Sequence, residues 1–131
     1  MNTMQSEKDR KPEPTKSELE ILRVLWEYGT STVRFVNDKL NEQREVNYTT
    51  TLKLMQIMVE KGILDRDESQ MKHTYSVAEE EQETKAHLLE RFVDTLYKGS
   101  ASKLVMQLLG HKKTSKKELK EIKDMLKKLE E

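Results

Sequence analysis

Leu19, Leu22, Leu25 and Trp26 fall on one stripe of a 3.6-residue repeat, with Ile21 and Tyr28 beside it. Thr15 and Glu18 precede that stripe at capping-box spacing, and Gly29 follows it. The spacing predicts a first helix in "TKSELEILRVLWEYG". A second, shorter helix is predicted in "TSTVRFVNDKLNEQ", with Val33, Val36 and Leu40 on one face and Ser31 or Thr32 as its cap. The polar link "REVN" leads to a third, "NYTTTLKLMQIMVEKG", closed by Gly62. Here Tyr48, Leu52, Met55 and Val59 form the expected core face, flanked by Thr51 and Met58.

The period then changes. "ILDRDESQMKHTYSV" has two short runs around a polar turn, Glu68 to Gln70, and His73, Tyr75 and Val77 alternate with Thr74 and Ser76. This predicts a β-hairpin. The absence of Gly or Asn-Gly from the turn predicts a loop of several residues. From Glu79 the helical period returns. Ala86, Leu89, Val93 and Leu96 make a stripe, widened by Leu88 and Phe92 and stopped by Gly99. "SKLVMQLLG" is a short apolar helix expected to end at Gly110. In "SKKELKEIKDMLKKLEE", Ser115 and Glu118 repeat the capping-box spacing. Leu119, Ile122, Leu126 and Leu129 are spaced three, four, three, as a helix–helix seam requires.

Three helices, a hairpin and three more helices describe a mainly α protein: a winged helix-turn-helix over residues 15–78, then a helical association region over 79–131. Residues 1–14 are polar, hold both prolines and are expected to be a disordered tail.

Composition narrows the function. Of 131 residues, 34% are apolar and 37% charged, too thin a core for a deep catalytic cleft, so no enzyme is expected and a self-association surface is. There is no cysteine, hence no disulfide frame and no thiolate metal site. The opening residues have no apolar core that could serve as a signal peptide, and no run reaches the roughly 18 apolar residues of a membrane span. A cytoplasmic protein without membrane insertion is expected. His73, His87 and His111 lack metal-ligand spacing. Glu83 and His87, four apart on a helix, read as a solvated pair. No metal or other cofactor is implied. "HKKTSKK" reads as a solvated basic turn, and Leu104 to Leu109 as packing surface.

In a helix-turn-helix the second helix of the pair enters the major groove, and its N-terminal residues reach base edges. Here that helix begins Tyr48-Thr49-Thr50. With the expected core face inward, Thr50, Lys53 and Ile57 point away, and Thr49 and Leu54 lie at the margins. A threonine hydroxyl can bond a base or phosphate, and its methyl can pack on thymine. Lys53 can reach guanine or phosphate. Asn47, as N-cap, leaves backbone N–H groups near a phosphate. Threonine at a helix start is also an ordinary cap. Leu54 and Ile57 either touch thymine methyls or signal a helix rotated from this setting. Residues 1–78 hold 12 basic and 13 acidic side chains, so phosphate attraction must come from local clustering of Arg34, Lys53, Arg66 and Lys72.

"SELEILRVLWEYG", "YTTTLKLMQIMVEKGILDRDES" and "HTYSV" together resemble the penicillinase-repressor family, the BlaI/MecI type, over roughly Thr15 to Leu129. The resemblance implies a homodimeric repressor whose winged helix binds a double-stranded inverted-repeat operator. It places Tyr48, Thr49, Thr50 and Lys53 in the recognition helix and Lys72 and His73 in the wing. Thr32, Arg34, Asn47, Ile57 and Arg66 complete the expected DNA-contact set. The expected dimer contacts are Leu89, Phe92, Val93, Leu96, Leu104, Leu108, Leu119, Ile122, Leu126 and Leu129. In family members that answer to β-lactams, a membrane sensor metallopeptidase triggers cleavage between Asn and Phe. Gln107 and Leu108 occupy those positions here, so a cut by that or another protease would meet different side chains. The alternative is a winged-helix adaptor that binds protein rather than DNA. A regulator gated by a small molecule would need a convergent polar set that the sequence lacks.

Overall fold

The computed structural model describes residues 12–111 and 114–130. Most of the expected N-terminal tail, and Lys112-Lys113 of the basic turn, lie outside them. The elements are α1 (Lys16–Tyr28), β1 (Ser31–Thr32), α2 (Val33–Asn41), α3 (Tyr48–Glu60), β2 (Leu64–Asp67), β3 (Thr74–Val77), α4 (Glu81–Tyr97), α5 (Ala101–His111) and α6 (Lys116–Glu130). This is a winged helix followed by a helical region.

α1 starts on the capping box its sequence announces. The Glu18 amide donates to the Thr15 hydroxyl, and the Thr15 amide donates to the Glu18 carboxylate. The helix stops at Gly29, whose φ of 82° and ψ of −162° only glycine adopts at low cost. Just beyond lies an element absent from the sequence reading. Ser31 and Thr32 pair antiparallel with Tyr75 and Thr74, making a three-stranded sheet in the order β1-β3-β2. Two residues are too few to display a strand's alternation, and Thr32 also caps α2 by accepting from the Phe35 amide.

The core of the winged lobe joins Ile21, Leu22 and Leu25 of α1, Val33, Val36 and Leu40 of α2, Met55 and Met58 of α3, Leu64 and Tyr75, all buried. Val46, in the link expected to be merely polar, is buried with them. α3 sits differently from the expected setting. Its buried stripe is Thr51, Met55 and Met58, while Tyr48 is exposed and Leu52 and Val59 are half-buried. The helix is turned by about 60° from the apolar-only estimate, at 100° per residue. The reason is that a threonine, Thr51, lies inside the core, so a stripe drawn through apolar residues alone pulls the axis sideways. Leu54 packs against the core, and Thr49, Lys53, Gln56 and Glu60 line the outer face.

Gly62, at φ 79°, ends α3. The Ile63 amide donates back to the Met58 carbonyl at 2.9 Å, turning the chain into β2. The loop of the wing runs from Glu68 to His73, so His73 precedes β3 instead of opening it. Inside the strand Tyr75 is the inward residue, 2% exposed.

Internal contacts divide the chain into residues 1–86 and 87–131, a division inside α4, which starts at Glu81 rather than Glu79. The first turns of α4 belong to the winged lobe: the Lys85 ammonium lies 5.4 Å from the centre of the Trp26 ring. In the second unit α4 ends through Lys98 and Gly99, both at positive φ. α5 continues through Gly110 to His111, so that glycine is no stop. Among the described residues no helix is long and apolar enough to cross a membrane.

Candidate nucleic-acid interface

The outer side of the first turn of α3 presents Thr49, Thr50 and Lys53, all exposed. Asn47 is the N-cap with extended backbone, and its side chain makes no capping bond. Its carbonyl accepts from the Thr50 and Thr51 amides instead. Tyr48, beside them, carries the Arg34 guanidinium over its ring at 4.3 Å from the centroid. That stack joins the N-terminal ends of α2 and α3. It holds a cation at the rim of a groove of about 460 Å³ lined by Thr32, Arg34, Tyr48 and Leu52 on one side and Met71, Lys72 and His73 of the wing on the other. Of the expected contact residues, the structure therefore brings Thr32, Arg34, Tyr48, Lys72 and His73 to one groove. Ile57 is half-buried, one turn beyond Lys53 on the same i, i+4 row of α3 that starts at Thr49.

What fixes α3 against α2 is a buried polar cluster that periodicity alone misses. The Asn37 amide nitrogen donates to the Thr51 hydroxyl at 2.8 Å and to the Val46 carbonyl at 3.1 Å. Asn41 closes the turn, donating to the Val46 and Asn37 carbonyls and accepting from the Val46 amide. The only sequence signal was two polar residues, Asn37 and Thr51, at positions continuous with apolar stripes. A second tie lies at the other end of α3. Lys61 pairs at 2.7 Å with Glu18, itself 2% exposed.

The cations of the winged lobe divide into paired and unpaired ones, and Lys16 and Arg23 of α1 are among those without an ion pair to the described residues. Lys39, Arg44, Lys61 and Lys85 are neutralised by Glu42, Glu20, Glu18 and Glu81. Arg34, Lys53 and Lys72 form no ion pair with the described residues, and they flank α3 and the wing. Arg66 differs: its hydrogen bond to the Tyr75 hydroxyl, and after it the ion pair with Glu68, holds its guanidinium further toward the charged form. Asp67 accepts from the Ser69 side chain and amide, which depress its pKa and order the start of the wing loop.

In the second unit the expected association residues are largely uncovered. Leu89, Phe92, Leu96, Leu108, Leu119, Leu126 and Leu129 are exposed, and Val93, Leu104 and Ile122 half-buried. No residue of α4 or α6 is buried. Gln107 and Leu108 lie within α5, both exposed. No group of three or more metal-ligating side chains occurs among the described residues.

The fold and this groove define a winged helix-turn-helix protein. A family model described as penicillinase repressor matches residues 14–128, and the chain belongs to that family of transcriptional repressors. It is 23% identical over 116 residues to a methicillin resistance regulatory protein MecI of Mammaliicoccus sciuri, covering 88% of this chain and 94% of the relative. A protein of the same name from Staphylococcus aureus strain N315 is 22% identical over the same span. A penicillinase repressor of Staphylococcus aureus is 22% identical over 118 residues, covering 90% of this chain and 94% of that one.

Proposed function

We propose that the protein is a sequence-specific DNA-binding repressor that acts as a homodimer on an inverted-repeat operator. One observation carries the reading: Arg34 and Lys72, which form no ion pair with the described residues, line one groove with Tyr48, and the same end of α3 carries the exposed Thr49, Thr50 and Lys53. Lobe-wide neutrality is then no obstacle, because phosphates respond to local charge and most other cations of the lobe are internally paired. Thr49, Lys53 and Gln56 would meet base edges in the major groove, with Thr50 and the Asn47 end of the helix nearer the backbone. Arg34, Lys72 and His73 would set the register on phosphates.

The uncovered apolar residues of α4, α5 and α6 support the dimer. Two copies would place two recognition helices one helical turn apart, roughly 34 Å. Repression would end when the dimer is lost, since a single half-site forfeits the avidity of two. Cutting between Gln107 and Leu108 would do this, but a protease takes its substrate extended, so α5 must first open locally. A protein-binding adaptor would use the near-neutral lobe with Leu54 and Ile57 exposed as an apolar patch. Leu54 packs inward and Ile57 is half-buried, which leaves that reading little surface.

The test is binding to duplex DNA across a salt series. Affinity should fall steeply with salt, and Lys72→Ala should reduce the slope of log affinity against log salt by about 1. Thr49→Ala should weaken binding while leaving the dimer intact. Salt-independent binding, or wild-type behaviour of both variants, would contradict the assignment.

A further inference from the structure

Met71 stands at the end of the wing with its side chain 101% exposed, the most exposed large apolar group described. It lies in a short loop with a fixed base. Arg66 and Asp67 pair with Tyr75 and Thr74, Tyr75 is rooted in the core, and the Ser69 amide is held by Asp67 at 2.9 Å. The tip residue itself packs on nothing, although a methionine is flexible enough to fold back over its own loop. Its neighbours Glu68, Ser69, Gln70, Lys72 and His73 are all polar and exposed, so it belongs to no apolar patch of the size a protein partner would need. It does line the same groove as Arg34, Tyr48, Lys72 and His73.

A lone thioether on a narrow tip, with cations directly behind it, matches the minor groove of a duplex. That groove is only about 6 Å wide, its walls are sugar C–H groups and its rims are phosphates. A helix cannot enter it, but a hairpin tip can. Apolar side chains inserted there partly unstack a base step. We propose that Met71 is a positioning residue that enters the minor groove beside the half-site read by α3 and wedges against a base step. This rests on the DNA-binding reading. The wing would thereby select flexible pyrimidine–purine steps in the flank without any hydrogen bond to a base. Lys72 and His73 would follow onto the phosphates at the rim.

The probe is the tightest-binding duplex recovered by selection from random DNA, with 2-aminopurine placed at successive flanking positions. Wild-type protein should raise the fluorescence at one step per half-site, and Met71→Leu should do the same. Met71→Ala should abolish the rise, weaken binding roughly tenfold and erase the flank preference. Full exposure means that Met71→Ala should fold as the parent does, which unfolding curves would verify. If Met71→Ala binds within about twofold of wild type and keeps the same flank preference, the wedge is wrong while the repressor reading stands. If selection recovers no preferred duplex at all, the DNA-binding reading falls, and the wedge with it.

Discussion

The side-chain amide of Asn37 and the hydroxyl of Thr51 meet at 2.8 Å inside the winged lobe, fourteen residues apart in sequence, and that bond sets α3 against α2. Thr51 is fully buried and Asn37 nearly so. A buried polar pair is worth little net when made and much when broken. Here it also fixes the angle at which the threonine-rich end of α3 faces outward.

Asn37→Ala should therefore cost about 2 kcal/mol, because it strands the Thr51 hydroxyl and leaves a small cavity. Thr51→Val, nearly the same shape, should cost about 1 kcal/mol. The two losses should not add, since they remove one interaction. Urea unfolding followed by the fluorescence of Trp26, the chain's one tryptophan, would measure both variants and the double one.

Lys61 and Glu18 join α3 to the start of α1 through a pair buried on the Glu18 side. Removing only the lysine strands a carboxylate. Lys61→Met should cost about 3 kcal/mol, and adding Glu18→Gln should recover part of that loss. The glutamine keeps a hydrogen bond to the Thr15 amide and carries no charge. A double variant less stable than Lys61→Met alone would refute this account of the pair.

Glu20 pairs with Arg44 at 2.9 Å, and the hydrogen bond from Arg44 pulls its pKa below the ordinary 4.5. A carboxylate depressed in the folded state contributes stability that is complete above its unfolded pKa and lost as pH falls through the folded one. The contribution is therefore present at neutral pH and disappears below pH 4.5. Glu20→Gln should flatten the acid limb of a stability–pH curve there. Both partners are partly exposed, so the difference should be modest and should shrink in high salt.

Glu68 neutralises Arg66 on the wing and places a carboxylate near any approaching phosphate. Glu68→Gln should tighten duplex binding and increase the salt slope by about 1 as Arg66 becomes available. Weaker binding by this variant would mean that Glu68 orders Arg66 for DNA rather than competing for it.

The first and second helices and the wing were legible because their apolar residues repeat at helical or strand periods and their caps lie at fixed offsets. The Thr15–Glu18 box is one such case. What periodicity misplaced was polar or very short. Thr51 fills a core position, so the face of α3 drawn from apolar residues was turned. Ser31-Thr32 is a strand only because β3 offers it a partner. Val46 looked like linker because its neighbours are polar. At the candidate interface, the outward placement of Thr50 and Lys53 was legible from the period of α3, and that of Tyr48 was not. The sorting of cations into paired and unpaired groups was not legible either, because it depends on which carboxylates lie within reach once the chain has folded.

The central claim is that two copies present the Thr49–Lys53 turn of α3 to one duplex. Repeated selection of bound sites from random duplex DNA, followed by sequencing, tests it most directly. The account predicts a two-fold symmetric winner whose half-sites are centred one helical turn, or a multiple of it, apart. No enrichment, or a solitary asymmetric site bound by one copy, would contradict it.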